Sequence, residues 1–223
     1  CTWGQTAENV AVKYQITKEE QNEFAYQSHM KATKALKENK FKDEIIPIKV
    51  NNNIVKEDSC VREDTSIDKL QSLKPAFSDN GSVTAGNSSP LTDGASALLV
   101  CTKDYAKDHN LDMLAKIRSV AVHGCEPDYM GLGPIGATKK ALKRASLQIS
   151  DIGLVELNEA FASQSIACVR ELDINEEKLN IDGGAIAIGH PLGATGARIT
   201  GKAASLLKRE NVEFALATQC IGS

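Results

Sequence analysis

Residues 183–196 have the sequence GGAIAIGHPLGATG. Glycine recurs through it, and a segment so poor in large side chains lets another part of the backbone or a ligand approach closely. The spacing of Gly189, Gly193 and Gly196 differs from the G-x-G-x-x-G fingerprint of dinucleotide sites. The stretch therefore predicts either a structural turn or an anion-binding loop that opens a helix. Its single titratable side chain is His190, a candidate for either a structural or a catalytic role.

Strands and helices alternate on both sides of this glycine-rich stretch. A short apolar run, Leu154–Leu157, leads into Asn158, and the run 214–218 leads into Cys220. Such alternation predicts a layered α/β fold. The other predicted segments are strands at 95–101 and 117–123, and helices at 18–39, 134–145, 160–172 and 194–208. Residues 42–86 are rich in turn-forming residues and are expected to form an irregular lobe.

The composition is that of a globular protein and argues against several functions. The chain has 223 residues, 42% hydrophobic and 25% charged, which is long enough for a substantial apolar core. A net charge of -3, with acidic and basic residues interspersed, argues against a nucleic-acid partner. No apolar run approaches the roughly 20 residues that a membrane span needs, and the first residues do not resemble a secretory signal. The 6 cysteines stand singly, which favours free thiols in a reducing compartment.

Two side chains at predicted strand ends could join His190 in a reactive site. Asn158 lies between an apolar strand and a helix, where an asparagine either caps the helix or contacts a ligand. Cys220 is either a small buried hydrophobe or a reactive thiol. Together the three residues favour a thiol-and-imidazole site. The 4 histidines show no spacing typical of metal ligands, so no metal site is predicted.

Three segments resemble the catalytic signatures of thiolases. They are NEAFA at 158–162, the glycine-rich stretch with the Ala-Arg pair that follows it, and CIG at 220–222. Further segments similar to thiolases lie at 6–11, 84–89, 91–95 and 130–134. The resemblance spans nearly the whole chain and corresponds to the carboxyl-terminal portion of a thiolase. It implies a layered αβαβα fold, with a βαβαβαββ half and part of an inserted loop domain.

The resemblance also implies a role for each site residue. His190 matches the histidine that activates the nucleophile and helps bind the thioester oxygen, a task that suits an imidazole. Cys220 matches the cysteine that protonates the departing enolate and later deprotonates the incoming thiol; a nearby charge would shift it toward thiolate. Asn158 matches the residue that holds a water in the first oxyanion hole, and the backbone N–H of Gly222 matches a donor of the second.

Four further matches concern substrate binding. They are Ser89 and Ala85 for the pantetheine arm, and Met130 and Phe161 for the apolar wall of the acyl pocket. The alternatives are a turn hydroxyl for Ser89, and plain core packing for Met130 and Phe161.

The sequence also departs from the thiolase pattern. No cysteine lies in surroundings that match the thiolase nucleophile, and Cys1 stands at the extreme end. The resemblance divides the chain into a partial loop domain (1–91), the last strand and helix of the amino-terminal half (92–114), and a carboxyl-terminal half lacking its final strand (115–223). We therefore expect that the chain alone does not catalyse thiolysis and needs the missing amino-terminal half.

The resemblance implies thiolytic cleavage of a 3-ketoacyl-CoA by CoA, or the reverse Claisen condensation of acetyl-CoA. Coenzyme A would be a substrate, with no metal or prosthetic group, and the full-length protein would be a homodimer or homotetramer. The expected location is cytoplasmic, or mitochondrial or peroxisomal in a eukaryote. Two alternatives are a non-catalytic acyl-CoA-binding module and a condensing enzyme of ketoacyl-synthase type. The latter is disfavoured because such enzymes have no equivalent of Cys220.

Overall fold

The computed structural model describes residues 2–222, which contain more helix than strand; Cys1 and Ser223 lie outside it. The helices are α1 Trp3–Tyr14, α2 Lys18–Lys37, α3 Ile67–Gln71, α4 Lys103–Asp108, α5 Gly133–Ala145, α6 Ala162–Leu172, α7 Ala185–Ile188 and α8 Thr195–Arg209. The strands are β1 Ile48–Val50, β2 Asn53–Val55, β3 Leu154–Leu157 and β4 Ala215–Thr218. Short 3-10 segments lie at Pro127–Leu132, Ile149–Asp151 and Glu176–Lys178. None of the described helices is long and apolar enough to cross a membrane.

Helix α2 begins where the sequence predicts. The Thr17 hydroxyl accepts a hydrogen bond from the N–H of Glu20, and the Glu20 carboxylate accepts one from the N–H of Thr17. This is a complete capping box. The buried stripe of α2 includes His29 and Ala32, and Ala32 lies directly against Gly183. Helix α2 therefore supports the glycine-rich stretch from one side.

Strands β3 and β4 form a parallel pair in which Leu154 lies opposite Ala215 and Leu157 opposite Thr218. All of β3 is buried, as its apolar sequence predicts. The N–H of Asn158 extends the ladder by donating to the carbonyl of Thr218 at 3.0 Å. Because the strands are parallel, the residues that follow both of them emerge at the same edge of the sheet.

The main core packs around β3 and α6. Its buried members are Ile152, Val155, Leu157, Cys168, Val169, Leu172, Ile174 and Leu179. Apolar residues of α5 and β4 pack against this cluster from the outside. The helices predicted at 134–145, 160–172 and 194–208 are confirmed as α5, α6 and α8, with ends displaced by one or two residues.

Two predicted strands are wrong within residues 2–222. Residues 95–101 and 117–123 contain no strand, and Leu99 and Val122 are 72% and 77% exposed. An apolar run of this kind is typical of a covered strand, but a strand also needs a neighbour to receive its hydrogen bonds. In the described part of the chain, no strand pairs with either segment.

Residues 42–86 form an irregular lobe, as their turn residues predict. β1 and β2 make a small antiparallel hairpin around Asn51, which takes a left-handed φ of 55°. Among the described residues of this lobe there is one helix, α3, which follows the hairpin. The lobe contacts α2 and contributes a wall to the groove described below.

Candidate active site

The glycine-rich stretch makes a tight turn after α7. Helix α7 is capped by Gly189, whose φ of +96° favours glycine. A Cβ on Gly189 would lie 2.7 Å from Cγ2 of Thr92. The hydroxyl of Thr92 also accepts a hydrogen bond from the backbone N–H of His190 at 2.8 Å. Thr92 therefore makes close contacts with the backbone at both Gly189 and His190.

The His190 ring has a polar partner at each of its two nitrogens. Nδ1 lies 2.7 Å from Oγ1 of Thr195, and the Thr195 hydroxyl donates to the carbonyl of Pro191 at 3.0 Å. When the hydroxyl proton is placed on that bond, Nδ1 carries the ring proton and donates it to Thr195. Nε2 is then the unprotonated nitrogen, and it lies 3.3 Å from Nδ2 of Asn158, a donor. The basic nitrogen of the ring thus faces the end of β3.

The surroundings of His190 keep its ring neutral at pH 7. Burial lowers the pKa of His190 below its usual 6.5, and the positive charge of Arg198 lowers it further. A neutral imidazole with a free Nε2 can accept a proton from a substrate or from another side chain.

Asn158 is 1% exposed at the carboxyl end of β3. Helix α6 begins at Ala162 with Phe161 as its N-cap, so the alternative that Asn158 caps this helix is wrong. Oδ1 of Asn158 is buried and has no hydrogen-bond partner among the described residues. A buried acceptor without a hydrogen bond lowers the free energy of unfolding by about 1–3 kcal/mol unless a water or a ligand donates to it. The amide therefore has one atom committed to His190 and one available to a bound molecule.

Cys220 follows β4 at the same sheet edge and is buried, with 8% exposure. Burial raises the pKa of its thiol to about 11, and the nearby Cys125 contributes to the same shift. This is opposite to the sequence-based expectation of a charge that favours the thiolate. Cys220 is therefore a protonated thiol at neutral pH, and its thiolate would be a strong base.

Gly222 lies against the side chains of Met130 and Trp3. A Cβ there would lie 2.5 Å from Sδ of Met130 and 3.1 Å from Nε1 of Trp3. Met130 therefore lies directly against the backbone that follows Cys220. This is where an apolar wall beside the Cys220 thiol would be expected.

Ser89 and Phe161 lie next to the end of β3. The N–H and the hydroxyl of Ser89 both donate to the carbonyl of Ala160, at 3.0 and 3.1 Å. The Phe161 ring packs edge-to-face on Phe77 with ring centroids 6.0 Å apart. The segment that contains Ser89 is thus tied to the residues that follow Asn158.

A groove of about 570 Å³ lies between α2, the irregular lobe and the glycine-rich stretch. Its lining residues include His29, Cys60, Arg62, Lys69, Ala85, Ser88, Pro90 and Ile186. Arg62 and Lys69 are exposed, and Lys69 is paired with Asp64 at 2.6 Å. No sequence signal marks this basic patch, because its members are separated along the chain and mixed with acidic residues.

Two sequence-family descriptions match the chain. “Thiolase, N-terminal domain” matches residues 1–104, and “Thiolase, C-terminal domain” matches residues 111–223. The chain belongs to the thiolase family. The thiolase-like α/β fold expected from the sequence is confirmed by similarity to solved thiolase structures.

The relatives of this thiolase chain are longer than the chain itself. It is 49% identical over 232 residues to the 3-ketoacyl-CoA thiolase of Bacillus subtilis, covering 98% of this chain and 59% of that protein. The 3-ketoacyl-CoA thiolase of Photobacterium profundum is 49% identical over 228 residues, with the same shares covered. The chain therefore spans about 59% of the length of these curated relatives.

Solved structures show the same relationship. A crystal structure of the Bacillus anthracis acetyl-CoA acetyltransferase superposes with a TM-score of 0.95 at 43% identity, covering 98% of this thiolase chain and 57% of that one. A crystal structure of human mitochondrial 3-ketoacyl-CoA thiolase in complex with CoA superposes with a TM-score of 0.95 at 44% identity. The match covers 98% of this chain and 55% of the human chain.

Glu159 is a site residue whose role the sequence did not reveal. One carboxylate oxygen accepts hydrogen bonds from the Ser28 hydroxyl at 2.6 Å and the N–H of Ile186 at 3.1 Å, and the other accepts from Asn180 at 2.8 Å. Burial raises the pKa of Glu159. Its carboxylate joins β3, α2 and α7, and so holds the glycine-rich stretch of this thiolase against the sheet edge. The sequence signal that could have identified Glu159 is its position next to Asn158 in the NEAFA segment.

Proposed function

We propose that this chain supplies the acid–base residues of a thiolase active site, which cleaves a 3-ketoacyl-CoA with CoA or condenses acetyl-CoA in reverse. The observation that carries the proposal is the 3.3 Å contact between Nε2 of His190 and the Asn158 amide. It lies at the sheet edge from which Cys220 also emerges. Relatives named 3-ketoacyl-CoA thiolase and acetyl-CoA acetyltransferase support this choice of reaction.

The first half of the reaction forms an acyl-enzyme. A second cysteine, supplied by an amino-terminal region of the kind that the relatives have, gives its proton to His190 and attacks the keto carbon. The keto oxygen that becomes negative is stabilised in the second oxyanion hole, where the backbone N–H of Gly222 is a donor. The carbon–carbon bond then breaks, and the released enolate takes the proton of Cys220, giving acetyl-CoA. The thioester oxygen of the enolate is stabilised by His190 and by a water held on the Asn158 side chain.

The second half transfers the acyl group to CoA. The Cys220 thiolate formed in the first half takes the proton of the incoming CoA thiol. An ordinary thiol has a pKa of about 8.5, so a group with a pKa of about 11 is a sufficiently strong base for this step. The CoA thiolate attacks the acyl-enzyme, the nucleophilic cysteine leaves, and His190 returns its proton. We propose no metal or prosthetic group for these steps.

Coenzyme A would lie along the groove. Ala85 and Ser88 line it near the Ser89 segment, which suits the pantetheine arm. Arg62 and Lys69 lie in the same groove and are suited to phosphate groups. The human relative whose structure contains CoA supports this class of ligand.

The complete enzyme would include more protein than this chain. The exposed apolar segments 95–101 and 117–123 would be covered by the amino-terminal region. We propose a homodimer or homotetramer as the assembled form. The proposed location is the cytoplasm, or a mitochondrion or peroxisome in a eukaryote.

The test is to assay cleavage of acetoacetyl-CoA by CoA, first with the 223-residue chain alone and then with the chain joined to the amino-terminal region of the Bacillus subtilis relative. We expect turnover only from the joined protein, and its loss in the Cys220→Ala variant with CoA affinity retained. Clear turnover by the chain alone would refute the need for a second part. Binding of CoA without turnover by the joined protein would instead favour the non-catalytic acyl-CoA-binding module.

A further inference from the structure

His29 joins helix α2 to the wall of the groove. It is 4% exposed, and its Nδ1 accepts a hydrogen bond from the backbone N–H of Arg62 at 3.2 Å. Both residues line the groove. None of the steps proposed above uses His29.

The hydrogen bond requires a neutral ring. A backbone N–H can only donate, so Nδ1 must be the unprotonated nitrogen and Nε2 must carry the proton. If Nδ1 gains a proton, two donors face each other and the bond is lost. A buried imidazolium would also lie close to the positive charge of Arg62. Protonation of His29 thus disfavours the present position of Arg62 in two ways.

The other groups around His29 do not replace this attachment. The titratable side chains in the same groove are Cys60, Arg62, Asp64 and Lys69, of which Asp64 and Lys69 are paired with each other. The N–H of Thr65 donates to the carbonyl of Arg62. This bond lies within residues 60–65, the wall segment of the groove that contains Arg62. An exposed ion pair between Glu63 and Lys37 of α2 is worth little in water. Farther along the wall, Gln71 of α3 accepts a hydrogen bond from Asn22 of α2 at 2.8 Å. Among the described residues, the bond to His29 is the one from α2 that reaches Arg62 itself.

We propose that His29 is a positioning residue that holds Arg62 for the phosphate groups of CoA and releases it when the ring is protonated. The affinity of the groove for the nucleotide end of CoA would then fall in mild acid. This inference rests on the proposed function, since it assumes that CoA occupies the groove.

The pH range follows from the direction of the shift. Burial lowers the pKa of His29 from 6.5, and the charge of Arg62 lowers it further. The neutral form of His29 therefore predominates at pH 7 and above. The loss of affinity begins below pH 6.5 and is completed only as the pH falls through the lowered pKa.

The test is calorimetric titration of the 223-residue chain with CoA and with adenosine 3′,5′-bisphosphate between pH 5 and pH 7.5. The bisphosphate carries the phosphate groups without the pantetheine arm, so it does not report on His190. His29→Asn keeps a side-chain acceptor near the position of Nδ1 and cannot titrate in this range. His29→Leu removes the acceptor. Circular dichroism melting shows whether each variant is folded at each pH.

We expect the wild-type affinity for the bisphosphate to fall about tenfold more than that of His29→Asn over this range. Near pH 7.5, His29→Asn should match the wild type, and a folded His29→Leu should bind about tenfold more weakly. Equal pH dependence in the wild type and His29→Asn overturns the role of His29 while leaving the CoA groove intact. If neither ligand binds any folded variant at any pH, the groove is not a CoA site and the proposed function fails together with this inference.

Discussion

The amide nitrogen of Asn158 lies 3.3 Å from Nε2 of His190, although the two residues are 32 positions apart. Their contact depends on two separate supports. Asn158 is fixed by its backbone bond to Thr218 of the parallel strand, and His190 by its bonds to Thr92 and Thr195. The donor of the asparagine therefore meets the ring nitrogen that is unprotonated when Nδ1 donates to Thr195.

Replacing Asn158 by alanine should reduce turnover strongly. The substitution removes the hydrogen bond to Nε2 and the free acceptor Oδ1, both of which serve the negative oxygen in the proposed reaction. We expect kcat to fall by about 10²–10³-fold in the joined protein with acetoacetyl-CoA, with a small change in KM. A kcat within about threefold of the wild type would show that Asn158 has no part in stabilising charge.

Thr195 offers a matched pair of variants that test the tautomer. Thr195→Val removes the partner of Nδ1 and lets the proton move to Nε2, which would lose its function as an acceptor. Thr195→Ser keeps the hydroxyl. We expect kcat to fall at least about tenfold in the valine variant and to remain near wild type in the serine variant. Similar losses in both variants would point to packing of the methyl group instead.

The local sequence pattern predicted most of the helices and the strands β3 and β4. It did not predict strand pairing or residue roles that depend on partners far along the chain. The apolar segments 95–101 and 117–123 look like strands, yet pairing requires a neighbour that no local pattern specifies. His190 could be found because it is the single titratable group in a glycine-rich turn. Glu159 and His29 could not be assigned roles, because each acts through a partner far along the chain.

Gly189 and Gly193 lie in the same turn, but replacing them by alanine should change the stability of the chain by different amounts. At Gly189 the positive φ disfavours a side chain, and Cβ would lie 2.7 Å from Thr92. At Gly193 nothing lies within 4 Å of a built Cβ. We expect Gly189→Ala to lower the melting temperature by on the order of 5 °C, and Gly193→Ala to change it by about 1 °C or less. Calorimetry of both chains measures this, and equal shifts would contradict the described turn.

Glu156 should make stability depend on pH. It is 3% exposed on β3, and burial raises its pKa from 4.5 to about 8, despite the nearby charges of Lys202 and Arg198. The folded chain keeps a proton that the unfolded chain releases, so this contribution to stability falls as the pH rises from 4.5 to about 8. Glu156→Gln mimics the protonated side chain and should flatten the dependence of melting temperature on pH in that range. The exposed Glu177→Gln is the matched control and should leave the dependence unchanged.

The cysteines should differ widely in reactivity toward iodoacetamide. Burial raises the pKa of Cys220 to about 11 and that of Cys168 to about 12, whereas Cys101 and Cys125 are exposed. Because the thiolate is the reactive form, we expect the two exposed thiols to be alkylated at least about tenfold faster at pH 8. Peptide mass spectrometry after timed quenching resolves each site. Alkylation of Cys220 as fast as Cys101 would mean that its thiol is neither buried nor held protonated, and Cys220 could not then serve as the acid that protonates the enolate.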